Sequence, residues 1–223
     1  MRGSATDRSG VNVRCGAPGA SRRAVLAGVA AWTGLGWSGR PALAEEEAAA
    51  LVEAFHQGLL GVMQDAGTLG FDGRVRVLEP LVAVTFDHAT MTRVACGQAW
   101  DGIDDAMRER LIAAFRNYSV ASYAANFDDY SGQSFRTVAV EPGRGGRLSV
   151  KAELVRAPGR GAPIAFDYTV HRAQAGWRAI DVVVDGRMSE LARRRSEFAT
   201  LLRRGGPSDL LAALEAQTRA LAA

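Results

Sequence analysis

"WRAIDVVVDGRMSELARRRSEF", Trp177 to Phe198, changes its apolar period in the middle. Up to Asp185 the apolar side chains alternate, with Ile180, Val182 and Val184 on one side, the period-2 pattern of a strand with one buried face. Past Asp185-Gly186 the spacing turns helical, and Met188, Leu191, Arg195 and Phe198 fall along one stripe. The chain therefore passes from a half-buried strand directly into an arginine-studded helix, with no catalytic group on either side of the joint.

Working upstream, three more strands are predicted, separated by turn chemistry. "QSFRTVAVE" (133–141) ends at "PGRGG". "RLSVKAELVR" (147–156) alternates Leu148, Val150, Ala152 and Leu154 before "APGRGAP". "IAFDYTVHR" (164–172) alternates Ile164, Phe166, Tyr168 and Val170 before "AQAG". Such short loops imply antiparallel neighbours, hence a four-stranded meander with one apolar face and one polar face bearing Arg136, Lys151, Glu153, Asp167 and Arg178.

Helical spacing covers most of the rest. Leu51, Val52, Phe55, Leu59, Val62 and Met63 mark a helix that starts among the carboxylates at Glu45 and ends by Gly67. A Pro80-interrupted helix follows over 74–87, then a short one carrying Met91 and Val94 with Asp87 as its N-cap. The longest is expected from Asp101 or Asp104. It places Met107, Leu111, Ala114, Phe115, Tyr118 and Ser122 on one stripe, widened by Val120, Tyr123 and Phe127. Two helices close the chain, one ending at "GGP" and one starting near Ser208. The sum is an α+β fold: a curved four-stranded antiparallel sheet packed with about six helices.

The first 44 residues read differently. Arg2, Arg8, Arg14, Arg22 and Arg23 precede an apolar, glycine-rich stretch and then Ala42-Leu43-Ala44, the order of a removable export signal with a small-residue cleavage site. "SRRAVL" (21–26) has the twin arginines of one export route, although Val25 stands where such signals usually carry phenylalanine. An ordinary secretory signal is the alternative. Residues 45–223 are expected to form a single domain, and either export route places it outside the cytoplasm. The whole chain carries 27 basic and 24 acidic residues. Residues 45–223 keep 21 and 23, a formal charge of −2, so the pI of about 9.2 belongs to the leader. No domain-wide positive field remains to attract nucleic acid. Cys96 is the single cysteine after residue 44, so no internal disulfide forms there; in "TRVACGQAW" it reads as a small buried apolar residue.

Groups for catalysis do not converge in the sequence. His56, His88 and His171 lie in separate elements without metal-ligand spacing, and there is no Gly-x-Ser-x-Gly or phosphate loop. No cofactor or metal is expected. Asp128 and Asp129 read as solvated turn carboxylates, and His171 as a surface residue. An enzymatic alternative needs a buried polar pair such as Asp167 with His171, which are taken to lie on opposite faces of their strand.

Three segments, "FDHATMTRVACGQAW" (86–100), "RLIAAFRNYSVASYAANFDDYSGQSF" (110–135) and "WRAIDVVVDGRMSELARRRSEFATLL" (177–202) followed by "DLLAALEAQ" (209–217), together resemble the MlaC family. These are periplasmic phospholipid-binding proteins, also known as toluene-tolerance auxiliary components of an ABC transporter. "GRMSELARRRSEF" is most similar to the HpnM branch, associated with hopanoid biosynthesis, whereas Glu190, Leu191 and Ala192 depart from the aromatic and basic residues usual after the family's serine. The resemblance implies a monomeric, non-catalytic carrier that encloses the acyl chains of a phospholipid or hopanoid-type lipid. It further implies transient membrane contact and delivery between an inner-membrane ABC transporter complex and an outer-membrane lipid complex.

The residues suit that role: burying about fifteen methylenes stabilises a bound tail by roughly 12 kcal/mol relative to water. The expected cavity lining is Phe86, Met91, Trp100, Phe115, Tyr123, Phe127, Phe166, Tyr168, Val182 and Met188. A solid core would satisfy the same periodicity. Arg193, Arg194, Arg195, Arg203 and Arg204 are the expected contact for an anionic head group or an acidic partner; the competing reading is a solvated helix face paired with Glu190 and Glu197. An adaptor that binds a transporter and carries nothing is a further alternative.

Overall fold

The computed structural model describes residues 39–222, with side chains from Ala42 onward. The expected leader lies outside the described residues except for its last few positions, Gly39 to Ala44, which begin the first helix. That helix, α1 (Gly39–Gln64), is followed by α2 (Ala66–Thr85), α3 (His88–Cys96), a 3-10 segment (Gly97–Gly102) and α4 (Asp105–Asn126). Strands β1 (Ser134–Pro142), β2 (Leu148–Val155), β3 (Ile164–Ala173) and β4 (Gly176–Val184) come next, and α5 (Glu190–Leu221) ends the chain. Among the described residues, no helix is long and apolar enough to cross a membrane.

The four strands pair antiparallel in the order β1-β2-β3-β4, an open meander as the alternation implies. Val150, Ala152, Phe166, Tyr168, Val170, Ala179 and Val182 are buried on one face. The other face carries the ion pairs Arg136–Glu153 (2.6 Å) and Lys151–Glu141 (2.7 Å). Two bulges interrupt the register. One leaves Val138 between Thr137 and Ala139, exposed; the other inserts Ile180 opposite the Thr169–Val170 step, so that Ala179 and Ile180 are buried together. The period-2 reading of β4 is therefore interrupted at its centre. Asp167 and His171 share the polar face, a correction to the expectation that they oppose each other, since residues four apart in a strand point the same way. They still form no pair, because Asp167 accepts from Ser149 Oγ (2.5 Å) and His171 meets Asp87 (2.9 Å).

There are five α-helices among the described residues, not six. The two helical runs expected at the C-terminus are both present, joined end to end in α5 across a non-helical break at Gly205-Gly206. Pro207 lacks the N–H that would continue the ladder, and Gly206 adopts φ 71°, ψ −164°, which L side chains avoid. α1 ends at Gln64, before the expected Gly67, and α2 reaches back to Ala66 across a kink at Gly70 (φ 60°). Asp87 is an N-cap as read from the sequence, accepting from Thr90 N (2.8 Å), and of Asp101 and Asp104 it is Asp104 that caps α4, accepting from Met107 N (2.9 Å).

The deciding joint is held by carboxylates. Asp185 sits at φ 50° beside Gly186 (φ 61°), and its Oδ1 accepts from Ala165 N (2.9 Å). Asp181 Oδ1 accepts from Leu191 N (3.0 Å) and Ser189 Oγ from Ala192 N (2.9 Å), so β4 caps the first turn of α5.

Gly206→Ala is expected to destabilise the protein by about 1–3 kcal/mol. Gly61→Ala in α1, where an added Cβ meets nothing within 4 Å, is expected to stabilise it by about 0.5–1 kcal/mol. Urea unfolding of the two variants measures both signs.

Candidate functional site

α1 lies across the apolar face of the sheet, in contact with β1, β2 and β4. Phe55 packs edge-on against Phe86 (5.3 Å) and Tyr123 (5.0 Å), while His56 stacks on Phe135 (4.2 Å) and hydrogen-bonds the Tyr168 hydroxyl (3.0 Å). Beside this cluster, Leu154, Ile164, Phe166, Val182 and Val184 face a cavity of about 670 Å³. Its remaining walls are the inner stripe of α4 (Phe115, Tyr118, Ser119, Ser122, Tyr123, Asn126), Phe86, Met91 and Met63, and the first turn of α5 (Glu190, Arg193, Arg194). The exposed residues Asp128, Asp129, Ser131, Arg156 and Arg160, from the loops after α4 and β2, form its charged mouth.

Seven of the ten expected lining residues, Phe86, Met91, Phe115, Tyr123, Phe127, Phe166 and Val182, stand on this wall, and three do not. Tyr168 is buried on the same face of the sheet, paired with Val182, but His56 of α1 holds its hydroxyl. Trp100 belongs to the 3-10 segment, under the Arg108 guanidinium at 5.2 Å. Met188 is 62% exposed beyond the β4–α5 turn and borders a separate shallow groove along α5. Of the arginines, Arg193 and Arg194 reach the cavity, whereas Arg195, Arg203 and Arg204 point to solvent.

Sequence reasoning missed the polar part of the wall, although Tyr118 and Ser122 had been placed on the same helical stripe as Phe115. Two hydroxyls on an otherwise apolar stripe were the available signal. Leu154 and Ile164 follow from the β2–β3 register, in which they are direct partners.

Arg194 is 4% exposed, which corrects its assignment to a free basic surface. Its guanidinium lies 4.1 Å from the Tyr118 ring centroid, donates to the Tyr118 hydroxyl, and pairs with Glu197 (2.7 Å). Gln217 of the second half of α5 also donates to Glu197 (2.5 Å). One buried cation thus fastens α4 to both halves of α5. Arg193 pairs with Glu190 (2.5 Å), the i,i+3 geometry read from the sequence.

Burial holds the Tyr123 phenol neutral, with the nearby Glu190 charge adding to the effect. Ser122 Oγ is buried and has no hydrogen-bond partner. His171 and Asp87 are partly buried partners; burial alone would raise the Asp87 carboxyl, but bonds from Thr90 and the His171 contact outweigh it and hold it below its usual range. His171 is therefore a tie between the sheet and the α3 N-cap, not a free surface residue. Burial pushes the Cys96 thiol up to about 11, consistent with the apolar role read for it. Among the described residues no group of three metal-ligating side chains is found.

Comparison with known proteins bears on this site. The family described as "MlaC protein" matches residues 53–216. No curated protein matches the chain. Among solved structures, the chain is similar to a phospholipid-binding protein from Ralstonia solanacearum, determined in complex with a phospholipid. The TM-score is 0.68 at 19% identity, covering 79% of this chain and 99% of that one. At that identity the likeness shows a shared fold.

Burial lowers the His56 imidazole to about 4, and burial with the nearby Arg116 charge lowers His88 to about 4. In the unfolded chain both titrate near 6.5. Between these values the unfolded state binds the extra protons, so stability is unaffected above about pH 6.5 and falls as pH drops from there to about 4. The loss is expected to reach about 3 kcal/mol per ring. His56→Gln should remove roughly half of it, as read by urea unfolding at pH 4.5 and pH 7.5.

Proposed function

The chain belongs to the MlaC family, and on that footing we propose that it is a non-catalytic periplasmic carrier holding the acyl chains of a phospholipid. The carrying observation is the cavity itself: its depth is apolar (Phe86, Met91, Phe115, Leu154, Phe166, Val182) and its mouth is charged. An amphiphile has that same division, and apolar burial retains its tails without any bond-making group. The similar protein from Ralstonia solanacearum, solved with a phospholipid, supports the same ligand class. The three histidines support binding over catalysis: two are buried and one is tied to Asp87, and none lines the cavity.

In this reading residues 1–44 direct export and are removed near Ala44. The monomer then takes lipid from one membrane-bound complex and gives it to another, one of them an inner-membrane ABC transporter complex and the other an outer-membrane complex. Contact with the partner opens the cavity. Exposed Arg195, Arg203 and Arg204 make the transient contact with anionic surface.

Solvent extraction of the purified 45–223 protein and mass spectrometry should release about one phospholipid per chain; a hopanoid-type lipid would instead assign the cargo to that class. A protein that carries no lipid and takes none from vesicles would overturn the proposal. Val182→Trp, which fills the cavity, should lose bound lipid while the far-ultraviolet circular dichroism stays native. Arg203→Glu with Arg204→Glu should slow transfer to phosphatidylglycerol vesicles without changing the unfolding midpoint, because both side chains are exposed. Unchanged transfer would remove the basic cluster from the mechanism.

A further inference from the structure

The cavity-facing side of α4 grades from apolar to charged. Phe115 stands at one end of this stripe, Tyr118, Ser119 and Ser122 in the middle, and Asn126 at the other end, next to Asp128 and Asp129 of the mouth. At about 1.5 Å per residue, Ser122 is about 10 Å along the axis from Phe115 and about 6 Å from Asn126.

Hydroxyls inside helices ordinarily return to the carbonyl four residues back. Here Ser119 does so to Phe115 (2.9 Å), Thr92 to His88 (2.6 Å) and Thr218 to Leu214 (2.8 Å). Ser122 does not. Its Oγ is buried, on the cavity wall, and without a partner. A buried hydroxyl left in that state costs free energy unless something entering the cavity satisfies it. One turn earlier, the Tyr118 oxygen accepts from Arg194, so its own proton is left to donate, and Tyr118 also lines the cavity.

Resting on the carrier reading above, we propose that Ser122, with Tyr118 beside it, donates hydrogen bonds to the acyl-ester carbonyls of the bound lipid, forming a subsite for the ester linkage between apolar depth and charged mouth. Both donors are neutral, which suits a carbonyl oxygen. The phosphate belongs with the cations farther out, Arg156, Arg160 and Arg193. Their separation by one turn of helix matches the two neighbouring esters of a diacylglycerol unit. The subsite fixes how deep the lipid sits, and it selects ester-linked over ether-linked lipids, whose linkage oxygens are poorer acceptors.

The test uses delipidated protein titrated calorimetrically with diheptanoyl phosphatidylcholine and with its diheptyl ether counterpart, which have the same head group and equal chain length. Wild-type protein should bind the ester about three- to tenfold more tightly. Ser122→Ala should abolish that preference by weakening the ester alone, with no loss of thermal stability, since the hydroxyl bonds nothing in the protein. Ser119→Ala, whose hydroxyl is engaged internally, should keep the preference. Equal wild-type affinity for both lipids, or an equal loss for both in Ser122→Ala, would overturn the subsite and leave the carrier standing. Failure of both lipids to bind would sink the carrier reading, and the subsite with it.

Discussion

The hydrogen bond between His56 and Tyr168 fixes how α1 lies on the sheet. Both partners are buried and neutral, so the bond holds only in this register; shifting α1 along the strands would strand two polar groups in an apolar layer. Phe55, one residue earlier, packs against Phe86 and Tyr123, and Met63 near the end of the helix lines the cavity itself. The cavity lies beside this cluster, over Leu154, Ile164 and Val184.

A void of this size normally collapses, because unfilled volume forfeits dispersion contacts. Two polar devices keep the opposite wall standing away from the sheet. At the β4–α5 joint, Asp181 and Ser189 satisfy the first amides of α5, which sets the angle at which the helix leaves the strand. Further along, Arg194 is locked between Tyr118 and Glu197, with Gln217 closing the group from beyond the Gly205-Gly206-Pro207 bend. These bonds are directional where apolar packing is not, so they define a spacing between α4 and α5 that hydrophobic contact alone would leave free to shrink.

The same arrangement gives the cavity a direction. Apolar side chains from the sheet, α2, α3 and α4 meet at the depth, neutral hydroxyls of α4 stand midway, and opposed charges of Asp128, Asp129, Arg156 and Arg160 ring the mouth. That gradient matches the division of the proposed amphiphilic guest. Polar side chains in the wall are thus part of both scaffold and recognition, which is why Arg194 cannot serve as a freely exposed contact.

Much of the fold was legible in the residues. Alternation in four short runs, with glycine-rich turns between them, leaves an antiparallel meander as the economical pairing, and aspartates at 87 and 104 announce two helix starts by local hydrogen bonding alone. Seven wall residues were also legible, because a wall side chain and a core side chain obey the same periodicity. For that reason Tyr168 was misplaced: which apolar positions meet a neighbour and which meet empty space depends on the reach of α1, a relation between segments more than a hundred residues apart. Gly205-Gly206-Pro207 interrupts the helix where the sequence signals a stop, but no loop parts the two halves, so they follow one another as the bent helix α5. Period and capping, set by near neighbours, were fixed by the sequence itself; the hollow, its polar belt and the burial of Arg194 arose only in three dimensions, where long-range contacts decide what is left unfilled.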